Sequence, residues 1–278
     1  MKTLQQAIAR MGEKGGAGSS LRKHLSAVRI CDWADITRAS LYDLRDHLVE
    51  AVAPSTAKTI MAYAKSILNR YSDEVDLPKD WQKILSGRSE RPRRTFLTMD
   101  ELRQMEAVPV RNDMERIVLA ESLIEAYTGA RVSDVMTFTE ENFREAGFLT
   151  YTSIKTKVTA TVPVSEKTRG WIRYCQEHRG DEPTLPGRNK IIRRLAKRAG
   201  VTSRVKVFRA GKEEEGEKWQ FLSSHSFRCS TATNLSLAGA SLTEIRLTLG
   251  HTSEAMSSRY VVSTRPELSA RAMAYFGV

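Results

Sequence analysis

Apolar residues recur at helical spacing through residues 1–87, and the pattern predicts a run of helices there. LQQAIARM opens a short one, and the glycine-rich stretch from Glu13 to Ser20 predicts a flexible break. Helices follow over SLRKHLSAVRI and SLYDLRDHLVEAV, with an irregular segment around Asp35 to Thr37 between them. Pro54 and Ser55 start the clearest helix of this half. In STAKTIMAYAKSILNRY, Ile60, Ala64, Ile67, Leu68 and Tyr71 form one apolar stripe, which leaves Lys58, Lys65 and Asn69 on the opposite face.

The arginine-rich segment SGRSERPRRT interrupts this pattern and reads as a stiff, solvated strap, assigned to a basic linker over 88–96. Beyond it, Thr98 and Glu101 form a capping box that starts a second helical region. MERIVLAESLIEAY buries Ile117, Leu123, Ile124 and Tyr127, and Gly129 predicts a left-handed stop that turns the chain inward at Arg131. Asp134, one helical turn on, is placed to orient that guanidinium. From Phe148 to Val164 the period changes to two. Val158, Ala160, Val162 and Val164 alternate with Thr159 and Thr161, FLTYTSI supplies the partner strand, and Lys155, Thr156 and Lys157 fall at the hairpin turn. NKIIRRLAKRAG is a basic amphipathic helix with Ile191, Ile192, Leu195 and Ala199 inward and Lys190, Arg194 and Lys197 outward. KVFRAGKEEEGEKWQF reads as two strands around an acidic loop, Glu213 to Glu215, and RPELSARAMAYF as a short amphipathic tail with Leu268, Met273, Tyr275 and Phe276. The fold class is mainly α with a small β-hairpin.

Composition narrows the function. The 278 residues suffice for two domains, and 44 lysines and arginines against 33 acids leave a formal charge of +11 spread along the chain. That surplus suits an extended polyanion, nucleic acid above all, although a basic soluble protein carries the same charge. Cys31, Cys175 and Cys229 are few and widely spaced, so neither a disulfide framework nor a zinc site is expected. No phosphate-binding glycine loop, metal-ligand cluster or apolar membrane span is legible, and the chain is expected to work without a cofactor, away from membranes, in the cytoplasm near the nucleoid.

The densest chemistry lies between Ser223 and Val262. Ser224 is the expected N-cap of a helix that sets His225 and Arg228 on one face, and Gly239 ends it. Ser241 and Glu244 cap the next helix, which Leu242, Ile245 and Leu249 bury, and Gly250 closes it directly before His251. Tyr260 then stands in a polar stretch, Ser257, Ser258 and Arg259, unlike the setting of a core tyrosine.

His225-Ser-Phe-Arg228, Leu249-Gly250-His251 and Tyr260 resemble the second signature box of the tyrosine recombinases, the phage-integrase family. The Thr128-Gly129-Ala130-Arg131-Val132-Ser133-Asp134 turn and Lys155, placed by its register to Pro163, match that family's remaining active-site positions in order. The resemblance implies a two-domain, C-shaped clamp on duplex DNA, with a helical core-binding domain of the SAM-like kind at 1–87 and a catalytic α+β domain at 97–278. It implies that Tyr260 attacks a DNA phosphate to give a 3′-phosphotyrosyl link, with Arg131 and Arg228 bracketing the phosphate. In the same terms His225 takes the phenolic proton, His251 donates a hydrogen bond to the phosphate, and Lys155 protonates the departing 5′ oxygen. Neither metal nor ATP is needed, since the covalent link keeps the bond energy. Lys58, Lys65, Arg93 and Arg94 are the expected DNA-facing cations, and the working form is a homotetramer on two paired sites, with DNA-bending accessory proteins as further partners. The resemblance makes the chain a compact integrase or resolvase-like enzyme with no arm-site-binding domain ahead of the helical one. A type IB topoisomerase, which relaxes DNA with a similar set of groups, and a silent sequence-specific DNA-binding regulator remain the alternatives.

Overall fold

The structure, a computed structural model, describes residues 3–12, 17–87, 94–180, 183–209 and 211–262. The chain divides into two compact units, Met1–Pro92 with Phe208–Glu213 and Arg93–Val207 with Glu214–Val278. The first is built from α1 (Leu4–Gly12), α2 (Ala17–Ala27), α3 (Arg38–Ala51), α4 (Pro54–Arg70) and the single turn α5 (Trp81–Ile84). The α4 stripe is buried as its spacing requires, every residue from Ile60 to Tyr71 in it under 7% exposed. Around it close Leu21, Leu25, Leu44 and Leu48 from α2 and α3, with Trp33 tilted against Tyr71. Lys58 is exposed, whereas Lys65 is half-buried and donates to Ser86 Oγ at 3.0 Å. The predicted glycine break is shorter than expected: Ala17 to Ser20 belong to α2, where the burial of Leu21 and Leu25 outweighs the weak helix propensity of glycine.

The second unit opens with α6 (Met99–Glu106), whose capping box is present, Glu101 N–H donating to Thr98 Oγ1 and Thr98 N–H to Glu101 Oε2. Thr95 and Phe96, read as linker in sequence, are buried here. Then come α7 (Asp113–Thr128) and the turn α8 (Val132–Val135). Strands β1 (Phe148–Thr152) and β2 (Thr159–Pro163) pair antiparallel with Tyr151 opposite Ala160. They bury Leu149, Tyr151, Ala160 and Val162 on one face and pair threonine hydroxyls, Thr150 with Thr161 and Thr152 with Thr159, on the other. Next are α9 (Glu166–His178) and α10 (Leu185–Arg198), whose buried face, Ile191, Ile192 and Leu195, matches its pattern. Strands β3 (Arg204–Arg209) and β4 (Lys212–Glu217) form a second two-stranded sheet. Glu213 to Glu215 are therefore strand, not loop. Glu215 is drawn into it by Arg204 at 3.3 Å and Lys206 at 3.7 Å, alternate residues of β3.

The chain finishes its described part with α11 (Ser224–Leu237), α12 (Leu242–Leu249) and the turn α13 (Glu254–Ser257). Ser223, not Ser224, is the N-cap of α11. Its backbone is extended and its N–H donates to Ser226 Oγ at 3.1 Å, while the Ser224 N–H is taken by Asn189 Oδ1 of α10. Ile245 and Leu249 are fully buried, but Leu242, at the first position of α12, lies beyond that small apolar cluster and is 41% exposed. The amphipathic tail read at the end of the chain lies outside the described residues, as do Arg93 and most of the basic strap.

α7 is buried nearly all round, and it ends where Gly129 takes φ +69°, a left-handed turn open to glycine. A Cβ added there would come within 2.7 Å of Leu249 Cδ2 and 3.2 Å of Thr231 Cγ2. Gly129→Ala is therefore expected to cost about 2–4 kcal/mol, left-handed strain and overpacking together, read as a lowered urea midpoint with unchanged slope.

Candidate active site

Two glycine-ended helices and the first turns of α11 bring the sequence-predicted residues together. Arg228, on the second turn of α11, is 1% exposed. Its Nη1 donates to the carbonyl of Gly129 and its Nη2 to that of Leu249 at 2.6 Å. These are carbonyls at the C-terminal ends of α7 and α12, where unpaired oxygens and the helix dipole offer negative potential. Nη2 also reaches His251 Nε2 at 2.8 Å. Since a guanidinium can only donate, Nε2 of His251 is the acceptor and its Nδ1–H points to Ser257 Oγ, 3.0 Å away. Both ring nitrogens of His251 are thus engaged inside the protein, and the donation to phosphate expected of it requires Arg228 to shift.

Arg131 stands at the N-cap of α8 and donates from Nη1 to Ser153 Oγ at 3.0 Å. Asp134, 1% exposed, keeps the expected pairing with Arg131 only at long range and has a second partner. Its Oδ1 accepts the N–H of Ile154 at 2.9 Å, while the nearest approach of Oδ2 to Arg131 Nη1 is 4.0 Å. Short backbone bonds hold α8, and Asp134 fastens the β1–β2 turn onto it. In that turn Lys155 is exposed, and Lys157 adopts φ +57° with its N–H bonded to Ser153 O, which closes the connection.

Tyr260 is half-buried, held from below by α11, where Thr233 Oγ1 donates to the Tyr260 carbonyl at 3.3 Å and accepts the Val262 N–H at 3.0 Å. Its ring lies edge-on to His225 at 5.0 Å between centroids and tilted to His251 at 4.8 Å, with the Arg228 guanidinium 5.4 Å from its centre. The structure therefore gathers Arg131, His225, Arg228, His251 and Tyr260 around one centre, with Lys155 close enough to act on His225 electrostatically. Arg94, expected among the DNA-facing cations of the strap, sits in this cluster: its Nη1 is 2.6 Å from His225 Nε2 and its guanidinium 5.3 Å from the Tyr260 ring centre. Sequence gave no sign of this, since one arginine among several in a basic stretch carries no spacing that points to a partner far along the chain.

The site is crowded with positive charge. Burial first, then Arg94, Arg228, Arg131 and Lys155, push the pKa of His225 down to about 4. Burial, Arg228, Arg131 and His225 push that of His251 down to about 3. Burial and Arg131 also lower the pKa of Arg228 itself, which stays cationic in this range. Both imidazoles are neutral at pH 7, and the cluster has the character of an anion site in which the Tyr260 phenol faces a neutral base.

The phage integrase family model matches residues 95–266. Among solved structures, the fold is similar to a lambda integrase dimer bound to a COC′ core site, at 20% identity over 95% of this chain and 96% of that one, TM-score 0.66. It is also similar to the Tn1549 transposon integrase in complex with transposon right-end DNA, at 13% identity over all of both chains, TM-score 0.66. A third likeness is to the XerH site-specific recombinase bound to a palindromic difH substrate, at 14% identity over 93% of this chain and 76% of that one, TM-score 0.62. No curated protein matches the chain in sequence. Among the described residues no helix is long and apolar enough to cross a membrane.

The depressed histidines set a pH dependence. The unfolded chain protonates its imidazoles near 6.5, the folded chain only near 4 and 3, so the stability these two contribute is whole above pH 6.5 and is lost as pH falls. Between pH 6.5 and 4 each ring should remove up to about 1.4 kcal/mol per pH unit. His251→Gln is expected to flatten that acid slope in denaturant titrations, whatever it does to stability at pH 7.

Proposed function

The chain belongs to the phage integrase family, and on that premise we propose that it is a site-specific tyrosine recombinase that cuts and rejoins duplex DNA through a phosphotyrosyl intermediate. The observation that carries the reading is the convergence of Tyr260 with two histidines and the Arg228 guanidinium on a centre that holds surplus positive charge. In this reading Tyr260 Oη attacks the phosphorus, the 5′ oxygen leaves, and the phenolic proton passes to neutral His225. Lys155, at the exposed hairpin turn, supplies a proton to the departing oxygen. Arg131 and Arg228 neutralise the charge that develops on the non-bridging oxygens, and His251 supports Arg228 or joins it on the phosphate once Nε2 is freed and carries the ring proton, with Nδ1 then accepting from the Ser257 hydroxyl. An arriving phosphate also works against the local cations, lifting the basicity of His225 toward its ordinary value when a base is needed.

The first unit is the proposed core-binding domain. The exposed face of α4 with Lys58 lies along phosphate in this reading, and Lys65 joins it by leaving Ser86. Lambda integrase has been seen as a tetramer bound to a Holliday junction, and the same assembly, four protomers on two paired sites, is the form proposed for this chain.

Two outcomes test the assignment. On a duplex nicked beside the scissile phosphate the protein should form an adduct that survives denaturant, and Tyr260→Phe should form none; Arg131→Lys should lower the rate about 10²–10³-fold. Lys58→Ala should weaken binding evenly across DNA sequences and reduce the slope of log K against log salt by about 1, measured by fluorescence anisotropy.

A further inference from the structure

Arg94 reaches the site because the residues after it are nailed to α11. The Leu97 N–H donates to Ser230 Oγ at 2.8 Å, Asn234 Nδ2 donates to the Leu97 carbonyl at 3.0 Å, and Thr95, Phe96 and Leu97 are buried. Ser230 and Asn234 lie on the helix that carries His225, so Leu97 is pinned to that helix three residues beyond Arg94, and Arg94 itself reaches the helix through its side chain, at His225 and the Cys229 thiol. Its guanidinium has no acceptor atom, so the 2.6 Å contact makes Nε2 of His225 the acceptor and places the ring proton on Nδ1. Nε2 is then the ring's single basic nitrogen, and Arg94 covers it. The same guanidinium lies 5.3 Å from the centre of the Tyr260 ring.

We propose that Arg94 is a positioning residue that seals the basic nitrogen of His225 in the DNA-free protein and is drawn off it by backbone phosphate when duplex binds. No bond is made or broken by Arg94. It exchanges a neutral imidazole acceptor for a charged, two-oxygen acceptor that matches its fork, a bond roughly twice as strong. Its departure also relieves repulsion, since Arg131, Arg228 and Lys155 face His225 together with it, alongside Tyr260 and His251. The inference rests on the assignment of His225 as the base.

The test has two arms, both on the full chain. In the first, the ¹³C-labelled imidazoles of free protein are titrated by NMR, with His225 identified through His225→Gln. Wild type should titrate near 4, Arg94→Ala should move His225 up by about a unit or more toward 6.5, and Arg94→Lys, which keeps charge and a donor, should stay closer to wild type. In the second arm, adduct formation on the nicked duplex is followed against pH at limiting protein, where the profile reports ionisations of the free enzyme. Arg94→Ala should carry its acid limb to higher pH by the same shift. An unmoved His225 titration, or rates lowered equally at every pH, would overturn the proposal and leave Arg94 as a strut. If wild type forms no adduct at all, the recombinase reading fails, while the NMR arm still decides whether Arg94 seals His225.

Discussion

A buried guanidinium is costly unless every direction around it offers an oxygen or a ring, and Arg228 is nearly sealed from water. What makes its burial tolerable is the meeting of two helix ends. α7 and α12 both stop at left-handed glycines, and both point their last carbonyls at the same cation. The turns are consequently fixed relative to each other. Arg131 follows directly from the first and His251 directly from the second, so their positions descend from the bond network around Arg228. The all-round burial of α7 belongs to the same design, for a helix that ends inside the domain has to be enclosed by it.

The cluster's electrostatics are one-sided. Asp134, three residues from Arg131, gives Oδ1 to the Ile154 amide and leaves Oδ2 4.0 Å from that guanidinium. Glu125, on α7 within electrostatic reach of Arg228, is buried so completely that its carboxyl is pushed well above the usual range. Cations dominate the reactive centre, and together with burial they keep its imidazoles neutral at pH 7. An incoming phosphate diester brings the missing charge, and it is the element that the folded chain alone leaves out.

Much of this was legible beforehand, and for identifiable reasons. The α4 stripe, the Thr98 and Ser241 capping boxes, the glycine stops at 129 and 250, and the alternating β1–β2 pair all obey short-range rules that spacing records. The site residues were readable because their order along the chain matches a family pattern, not because local sequence shows that they meet. Local errors were small, a cap displaced by one residue and a helix begun earlier than its glycines suggest, and the larger failures are long-range. Glu121 pairs with Arg188 at 2.6 Å in the interior of the second unit, yet acids on a helix read as its wet side. Glu213 to Glu215 read as a loop because the basic partners of Glu215, Arg204 and Lys206, lie in another strand. Asp134 keeps its neighbouring cation at 4.0 Å, but its hydrogen bond goes to a backbone amide twenty residues away, which spacing does not record. Arg94 illustrates the same limit, as its meaning depends on a helix more than a hundred positions downstream.

Thr233 bonds both the carbonyl of Tyr260 and the amide of Val262, on the same helix that bears His225 and Arg228. That one hydroxyl anchors the phenol-bearing segment to its own polypeptide. The backbone on either side of the phenol is thereby tied to the helix that carries its imidazole and guanidinium neighbours, so a displacement of that segment is transmitted directly to α11.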